Sequence, residues 1–241
     1  MLTKRSSTPL KFFLFFLIFS VIAGMFSFLA NRYGTPTQAV QNAPQSKRFC
    51  IVLDAGHGGE DGGAVSDSGI FEKDLNLAIA KKLATLLELN GVDVIMTRTE
   101  DVLLYDRTID YHGRKKVLDL AARRKIAEEA EDCMFVSIHM NAYPLPQYSG
   151  LQVWYSPNHE TSYTLAQEIQ NRIQANLQPQ NNRKIKSATT SIYLLHHLQC
   201  PAVLVECGFL SNPEEAQKLA DETYQNELAF FLFTAIMGVN G

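Results

Sequence analysis

One segment limits the folds open to this chain more than any other: Ile51-Val-Leu-Asp-Ala-Gly-His57-Gly-Gly-Glu-Asp-Gly-Gly, an apolar run that breaks into glycines around a histidine. A short apolar run bounded by turn residues reads as a buried strand. The glycines after it permit positive φ and a close approach of backbone to other groups. Two more apolar runs end the same way. Met134–Ile138 stops at His139, with Asn141 just behind it, and Pro201–Val205 stops at Glu206.

Between these runs lie segments of helical length. Strands are expected at Cys50–Leu53, Val92–Thr97, Met134–Ile138, Leu151–Tyr155 and Pro201–Val205. Helices are expected at Glu72–Asn90, Arg114–Glu131, Tyr163–Leu177, Ile192–Leu198, Pro213–Asp221 and Tyr224–Val239. The first helix has Leu75, Leu77, Ile79, Leu83, Leu86 and Leu87 on its apolar face, and Gly91 stops it. The second is heavily charged, with Val117, Leu118, Leu120, Ala121, Ile126 and Ala127 expected inward. Residues 98–113 and 178–186 read as irregular. Strands separated by whole helices require crossover connections, which give an α/β fold with a largely parallel sheet and helices on both faces.

With 241 residues and 46% hydrophobic composition, the chain can bury one sizeable core and carry an appendage. A net charge of −3 provides no broad attraction to nucleic acid, so that partner is excluded. Positions 12–30 hold no charge and only Ser20 and Ser27 as polar residues, and Lys4, Arg5 and Lys11 precede them. Residues 1–31 therefore read as a signal peptide or a membrane anchor, with everything after them exported. Residues 32–48, rich in Gln, Asn and Pro, read as a linker, and 49–241 as a single catalytic domain. The cysteines (Cys50, Cys133, Cys200 and Cys207) form no CxxC pair and read as small apolar packing residues.

In open α/β sheets, ligands bind beyond the carboxyl ends of the strands, which is where His57, His139 and Glu206 fall. Two imidazoles and a carboxylate converging there make a zinc site with an open fourth position. The carboxylate is Glu72 or one of its neighbours Glu60, Asp61, Asp67 and Asp74; an acid in a first helical turn is favoured by the macrodipole whatever its chemistry. Glu206 closes a buried strand, a costly place for a carboxylate without a partner, and would manage protons. The pattern is that of a hydrolytic metalloenzyme. Neither GxxxxGK[ST] nor GxGxxG is present, which argues against a nucleotide site. His112 and His159 read as solvated surface residues, and His196 and His197, adjacent in a short apolar segment, point in different directions, so at most one of them could reach a site. Asp54 and Asn141 are candidates to orient the histidines.

The blocks LDAGHGGEDGGA, EKDLNLAIA, VIMTR, SIHMNA and PAVLVECGFLSN occur in order between Phe49 and the C-terminus. There the chain resembles the zinc-dependent N-acetylmuramoyl-L-alanine amidases that cleave bacterial peptidoglycan. The resemblance implies that His57, Glu72 and His139 ligate Zn2+, that Glu206 is the catalytic carboxylate, and that the sheet is mixed but mostly parallel. The segment Leu103–Lys116 is longer than usual for the family. The chain also lacks an inhibitory helix before SIHMNA and wall-binding repeats, and in this it looks most like the spore-associated, germination-specific branch. That branch implies peptide removal from the spore cortex towards muramic δ-lactam, a place in the forespore intermembrane space, and a possible protein activator. The alternatives are a zinc peptidase of carboxypeptidase type and a non-catalytic wall-binding domain.

Overall fold

The computed structural model describes residues 8–33, 50–106, 108 and 112–239. The chain divides into two units, Met1–Ser46 and Lys47–Gly241. The first holds one helix, α1 (Thr8–Tyr33). Over the described side chains no helix is long and apolar enough to cross a membrane, so the signal or anchor reading of this segment rests on its sequence. Nearly all of the linker expected at 32–48 lies outside the described residues.

The second unit is built on β1 (Cys50–Ala55), β2 (Asp93–Met96), β3 (Cys133–Asn141), β4 (Gln152–Tyr155), β5 (Lys186–Ser187) and β6 (Ala202–Phe209). They form one sheet in the order β2-β1-β3-β6-β4-β5. All neighbouring pairs are parallel except β4 with β6, so the sheet is mixed and mostly parallel, as expected. The helices are α2 (Glu72–Leu89), α3 (Lys115–Glu129), α4 (Glu160–Asn176), α5 (Tyr193–His197), α6 (Pro213–Ala220) and α7 (Glu222–Val239).

Alternation along the strands divides the apolar residues between two cores. Ile51, Leu53 and Ala55 of β1 join Val136 and Ile138 of β3 in the larger one, covered by α2, α4, α6 and α7. Val52, Phe135 and Leu204 face the smaller one, with Ala127 of α3 and Leu194 and Leu195 of α5. The same alternation turns Asp54, Ser137, His139 and Glu206 towards the side of α3 and α5. The thin cover on that side leaves room for a pocket at the strand ends.

Local chemistry sets the helix ends. After α2, Gly91 takes φ +80, with its N–H on Glu88 O and the Val92 N–H on Leu87 O, a Schellman closure. Asn212 caps α6 by accepting from Glu215 N, with Pro213 next to it. His159 accepts from Thr161 N, so α4 begins at Glu160 and not at Tyr163; this histidine is a helix cap and not a free surface group. Strand β5 has only Lys186 and Ser187, too short and polar to leave a signal in the sequence.

Two expectations are corrected. Cys50 and Cys133, register partners at the starts of β1 and β3, form a disulfide with Cα atoms 4.5 Å apart, while Cys200 and Cys207 are free. Packing residues in sequence become a cross-link because the parallel register sets them side by side. Helix α3 departs in part from its expected face: Ala127 is buried and Leu120 and Ile126 pack against the smaller core as expected, but Asp119 and Arg123 are buried beside them and Val117 is 60% exposed. Its burial follows charge pairing as well as apolar periodicity.

The disulfide closes a loop of sequence separation 83. Chain entropy assigns such a loop ~4.5 kcal/mol, and measured bridges typically give ~2–4 kcal/mol. Cys133→Ala should therefore lower the unfolding free energy of the domain by an amount in that range, read as a lower denaturant midpoint at unchanged slope. An unchanged midpoint under oxidising conditions would show that the bridge does not form in solution.

Candidate active site

His57 lies in the loop between β1 and α2 and has φ +62, a conformation that a residue with a Cβ resists by about 1 kcal/mol or more. The loop that holds it is bridged by Gly58 N to Asp61 O at 2.9 Å and Asp61 N to Gly58 O at 3.0 Å. Asp101 fastens it from outside, accepting from Gly59 N and from Lys73 Nζ, both at 2.6 Å.

Glu72 opens α2 and sits at the centre of the cluster. Its Oε1 accepts from Met140 N at 3.0 Å and lies 2.9 Å from His139 Nδ1 and 3.3 Å from His57 Nε2. Its Oε2 accepts from Ala64 N at 2.8 Å. The two imidazole rings are 4.9 Å apart, edge to face. His57, Glu72 and His139 each offer a ligand atom, and these atoms all lie within 4.8 Å of one another, so the group can hold a metal ion. Two glycines make the packing possible. A Cβ on Gly56 would fall 2.2 Å from His139 Nε2, and one on Gly63 would fall 2.4 Å from Glu72 Oε2. The close approach that the glycines permit is to the site's own side chains.

Glu206 stands opposite His139 in the β3–β6 register, and its Oε2 is sealed from solvent without a hydrogen-bond partner. Burial pushes its carboxyl up to about 7. Glu72 responds in the opposite direction: burial would raise it, but the hydrogen bonds and charges of His139 and His57 hold it well below the usual carboxylate range. For His57, burial opposes protonation, yet Asp61 and Glu72 outweigh it and raise the imidazole to about 9. A field that favours a proton there equally favours a cation. His57 Nδ1 lies 2.9 Å from Asp61 Oδ2 but is not aligned for a hydrogen bond.

A cavity of about 260 Å³ opens over this group, lined by Gly56, His57, Asp61, His139 and Glu206, with Lys116 and Leu120 of α3 and Tyr193 of α5 at its walls. Of the acids that the sequence left in competition with Glu72, Asp61 faces His57, Glu60 pairs with Lys115, and Asp67 and Asp74 are exposed. His112, His159, His196 and His197 do not join the cluster. Asp54 does not meet a histidine: its oxygens accept from Thr97 Oγ1 at 2.7 Å, Arg123 Nη1 at 2.6 Å and Ser137 Oγ at 2.6 Å. Arg98, Arg123 and Asn76 escaped the sequence reading. The available signal for Arg123 was Asp119 four residues earlier on the same helix, a spacing that pairs opposite charges.

Residues 51–237 match the model of the N-acetylmuramoyl-L-alanine amidase family. The chain belongs to this family. It is 36% identical over 187 residues to the germination-specific N-acetylmuramoyl-L-alanine amidase of Bacillus subtilis, covering 78% of each chain. The structure of the CwlD amidase from Clostridioides difficile, in complex with the GerS lipoprotein, is similar at a TM-score of 0.76 and 39% identity, over 80% of this chain and 98% of that one. Another N-acetylmuramoyl-L-alanine amidase, from Clostridium difficile 630, matches at 0.69 and 33%, over 80% and 97%. The chain is thus an N-acetylmuramoyl-L-alanine amidase, and its substrate is peptidoglycan.

Gly56→Ala tests how tightly the cluster is packed. The added methyl would overlap the His139 ring, and misplacing a reacting group by ~1 Å can cost ~10²-fold in rate. The amidase rate should fall by at least that factor while the domain's circular dichroism persists. A variant within a few-fold of wild type would show that the ring shifts without consequence.

Proposed function

We propose that this chain is a zinc-dependent amidase in which His57, Glu72 and His139 hold the metal and Glu206 handles the protons. The observation that supports it best is the unpartnered, buried Oε2 of Glu206 beside a His-Glu-His group whose donor atoms converge. Two imidazoles and one carboxylate match the donor set of catalytic zinc and leave a position open. When bound, zinc supplies Lewis acidity, making water a nucleophile near neutral pH and polarising the substrate carbonyl.

The bond cut joins the lactyl carbonyl of N-acetylmuramic acid to the amino group of L-alanine. Its hydrolysis needs a proton removed from water and another delivered to nitrogen. Glu206 does both: its carboxylate accepts from the attacking water, and the resulting acid protonates the departing amine. Burial raises the proton affinity of this carboxyl above that of an ordinary glutamate, which suits it to carry a proton between water and amine. Glu72, ionised and held by Ala64 N and Met140 N, would be the carboxylate that holds the ion with the two imidazoles. The walls from α3 and α5 orient the substrate.

The similarity to a germination-specific amidase supports a narrower reading, in which peptides are stripped from spore cortex towards muramic δ-lactam. The similarity to an amidase in complex with a lipoprotein supports a protein activator. Residues 1–31 act as a signal or anchor that exports the domain, to the forespore intermembrane space in that reading. The Cys50–Cys133 disulfide agrees with an oxidising, extracytoplasmic location.

Two experiments address the chemistry. A chelator should abolish release of peptides beginning with L-alanine from purified peptidoglycan, and Zn2+ should restore it; activity unaffected by exhaustive chelation excludes the metal reading. Glu206→Gln should keep zinc and lose ~10²–10⁴-fold in rate. If zinc disappears together with activity, Glu206 is a ligand. Location is tested separately: deleting residues 1–48 should leave activity in the tube and remove it in cells.

A further inference from the structure

The three peptide carbonyls that lead into His57 are all held by buried side chains. Ala55 O accepts from Arg98 Nε at 2.8 Å and from Arg123 Nη1 at 2.8 Å. Gly56 O accepts from Arg98 Nη2 and from Asn76 Nδ2, each at 3.0 Å. His57 O accepts from Arg123 Nη2 at 2.6 Å. A loop after a strand ordinarily turns such carbonyls to water or to a neighbouring amide. Here two guanidiniums, 3% and 1% exposed, are committed to them.

The two arginines are anchored differently. Arg123 is paired with Asp54 and Asp119, at 2.6 and 2.7 Å. Arg98 makes no ion pair among the described residues. Its remaining donors go to Glu100 O at 3.0 Å and to Lys73 O at 2.8 Å. Arg98 therefore spans from the loop carrying His57 to the first turn of α2, one residue beyond Glu72. Asn76 spans the same gap, with Nδ2 also 3.5 Å from Glu72 Oε1.

A buried cation satisfied only by carbonyls is an expensive way to stabilise a loop. A guanidinium, however, is a rigid planar fork with donors at fixed spacing, and it can fix adjacent peptide planes where an ammonium cannot. The peptide planes it fixes here carry His57 in its left-handed conformation. We propose that Arg98 and Arg123, with Asn76, are positioning residues that set His57 against Glu72 through the backbone, so that the metal site is formed before the ion arrives. The proposal rests on the zinc-ligand reading of His57 and Glu72.

The test uses the full-length chain in mild detergent and reads zinc affinity by competition with a chromogenic chelator. Wild type, His57→Ala, Arg98→Lys, Arg98→Ala and Arg123→Lys are compared, with urea unfolding of each metal-free form as the measure of structure. Arg98→Lys keeps charge and most of the volume but loses the fork, so it carries the test if Arg98→Ala does not fold. Orienting groups behind metal ligands are typically worth ~10–100-fold in affinity, so Arg98→Lys should weaken zinc binding by that factor and lower kcat with KM little changed. A purely structural arginine would shift the urea midpoint and leave zinc affinity alone. Folded Arg98→Lys and Arg123→Lys that both bind zinc like wild type overturn the clamp. If His57→Ala binds zinc as tightly as wild type, the ligand reading itself falls, and the clamp with it.

Discussion

The rest of the domain depends on one buried charge network, in which the Arg123 guanidinium of α3 lies between Asp54 of β1 and Asp119 of its own helix. Arg123 and Asp54 are essentially inaccessible to water, with side chains 1% and 0% exposed. Removing water from such a group costs several kcal/mol per ion, and that cost is recovered only when every donor and acceptor is matched. The match is close: Asp54 also accepts from Thr97 and Ser137, which ties the end of β1, the middle of β3 and the residue following β2 to one carboxylate. Burial would raise the Asp54 carboxyl, but Arg123 and these hydroxyls hold it below its ordinary value. Leu120, Ile126 and Ala127 pack α3 against the smaller core, and the ion pair ties the same helix, which forms a wall of the pocket, to β1.

The same economy appears at Glu72. An acid in the first turn of a helix needs no chemical role, since the macrodipole alone favours it. Both oxygens of Glu72 are nevertheless engaged, with two backbone N–H groups and the imidazoles around them. The partners come from two distant parts of the chain, Ala64 and His57 from the glycine loop and His139 and Met140 from β3, and they meet Glu72 at the start of α2. Convergence of this kind requires a parallel sheet, because only there do the carboxyl ends of β1, β3 and β6 lie on one edge.

That edge was legible in the sequence, because an apolar run ending in His, Glu or Asp leaves a strong signal where the chain otherwise alternates strand and helix. That rule pointed to His139 and Glu206, although β3 and β6 run on past them to Asn141 and Phe209, and the glycine break after β1 pointed to His57. Glu72 could not be separated from Glu60, Asp61, Asp67 and Asp74, since proximity in the chain does not say which oxygen faces inward. The face of α3 was only partly legible: Leu120, Ile126 and Ala127 do face the smaller core, but apolar periodicity took no account of the Asp119–Arg123 pair, which buries charge. The disulfide was missed because pairing of Cys50 with Cys133 depends on strand register, a property of the assembled sheet. The direction of β4 was equally invisible, as an isolated strand carries no mark of being parallel or antiparallel.

Two carboxylates within one small pocket would ordinarily compete for the same state of ionisation. Here their environments separate them. Glu72 is surrounded by donors and stays ionised; Glu206 has an oxygen with no donor at all and rises to about 7. Environments that push a pair of acids apart in this way are how a site assigns one to hold positive charge and the other to move a proton. Exchanging the two roles would require an open donor shell around Glu72 and a closed one around Glu206. The backbone opposes this, since Ala64 N of the glycine loop and Met140 N of β3 both donate to Glu72. In the proposed reading, the division of labour between the two acids is a property of the main chain's course around the strand ends, and the side chains only complete it.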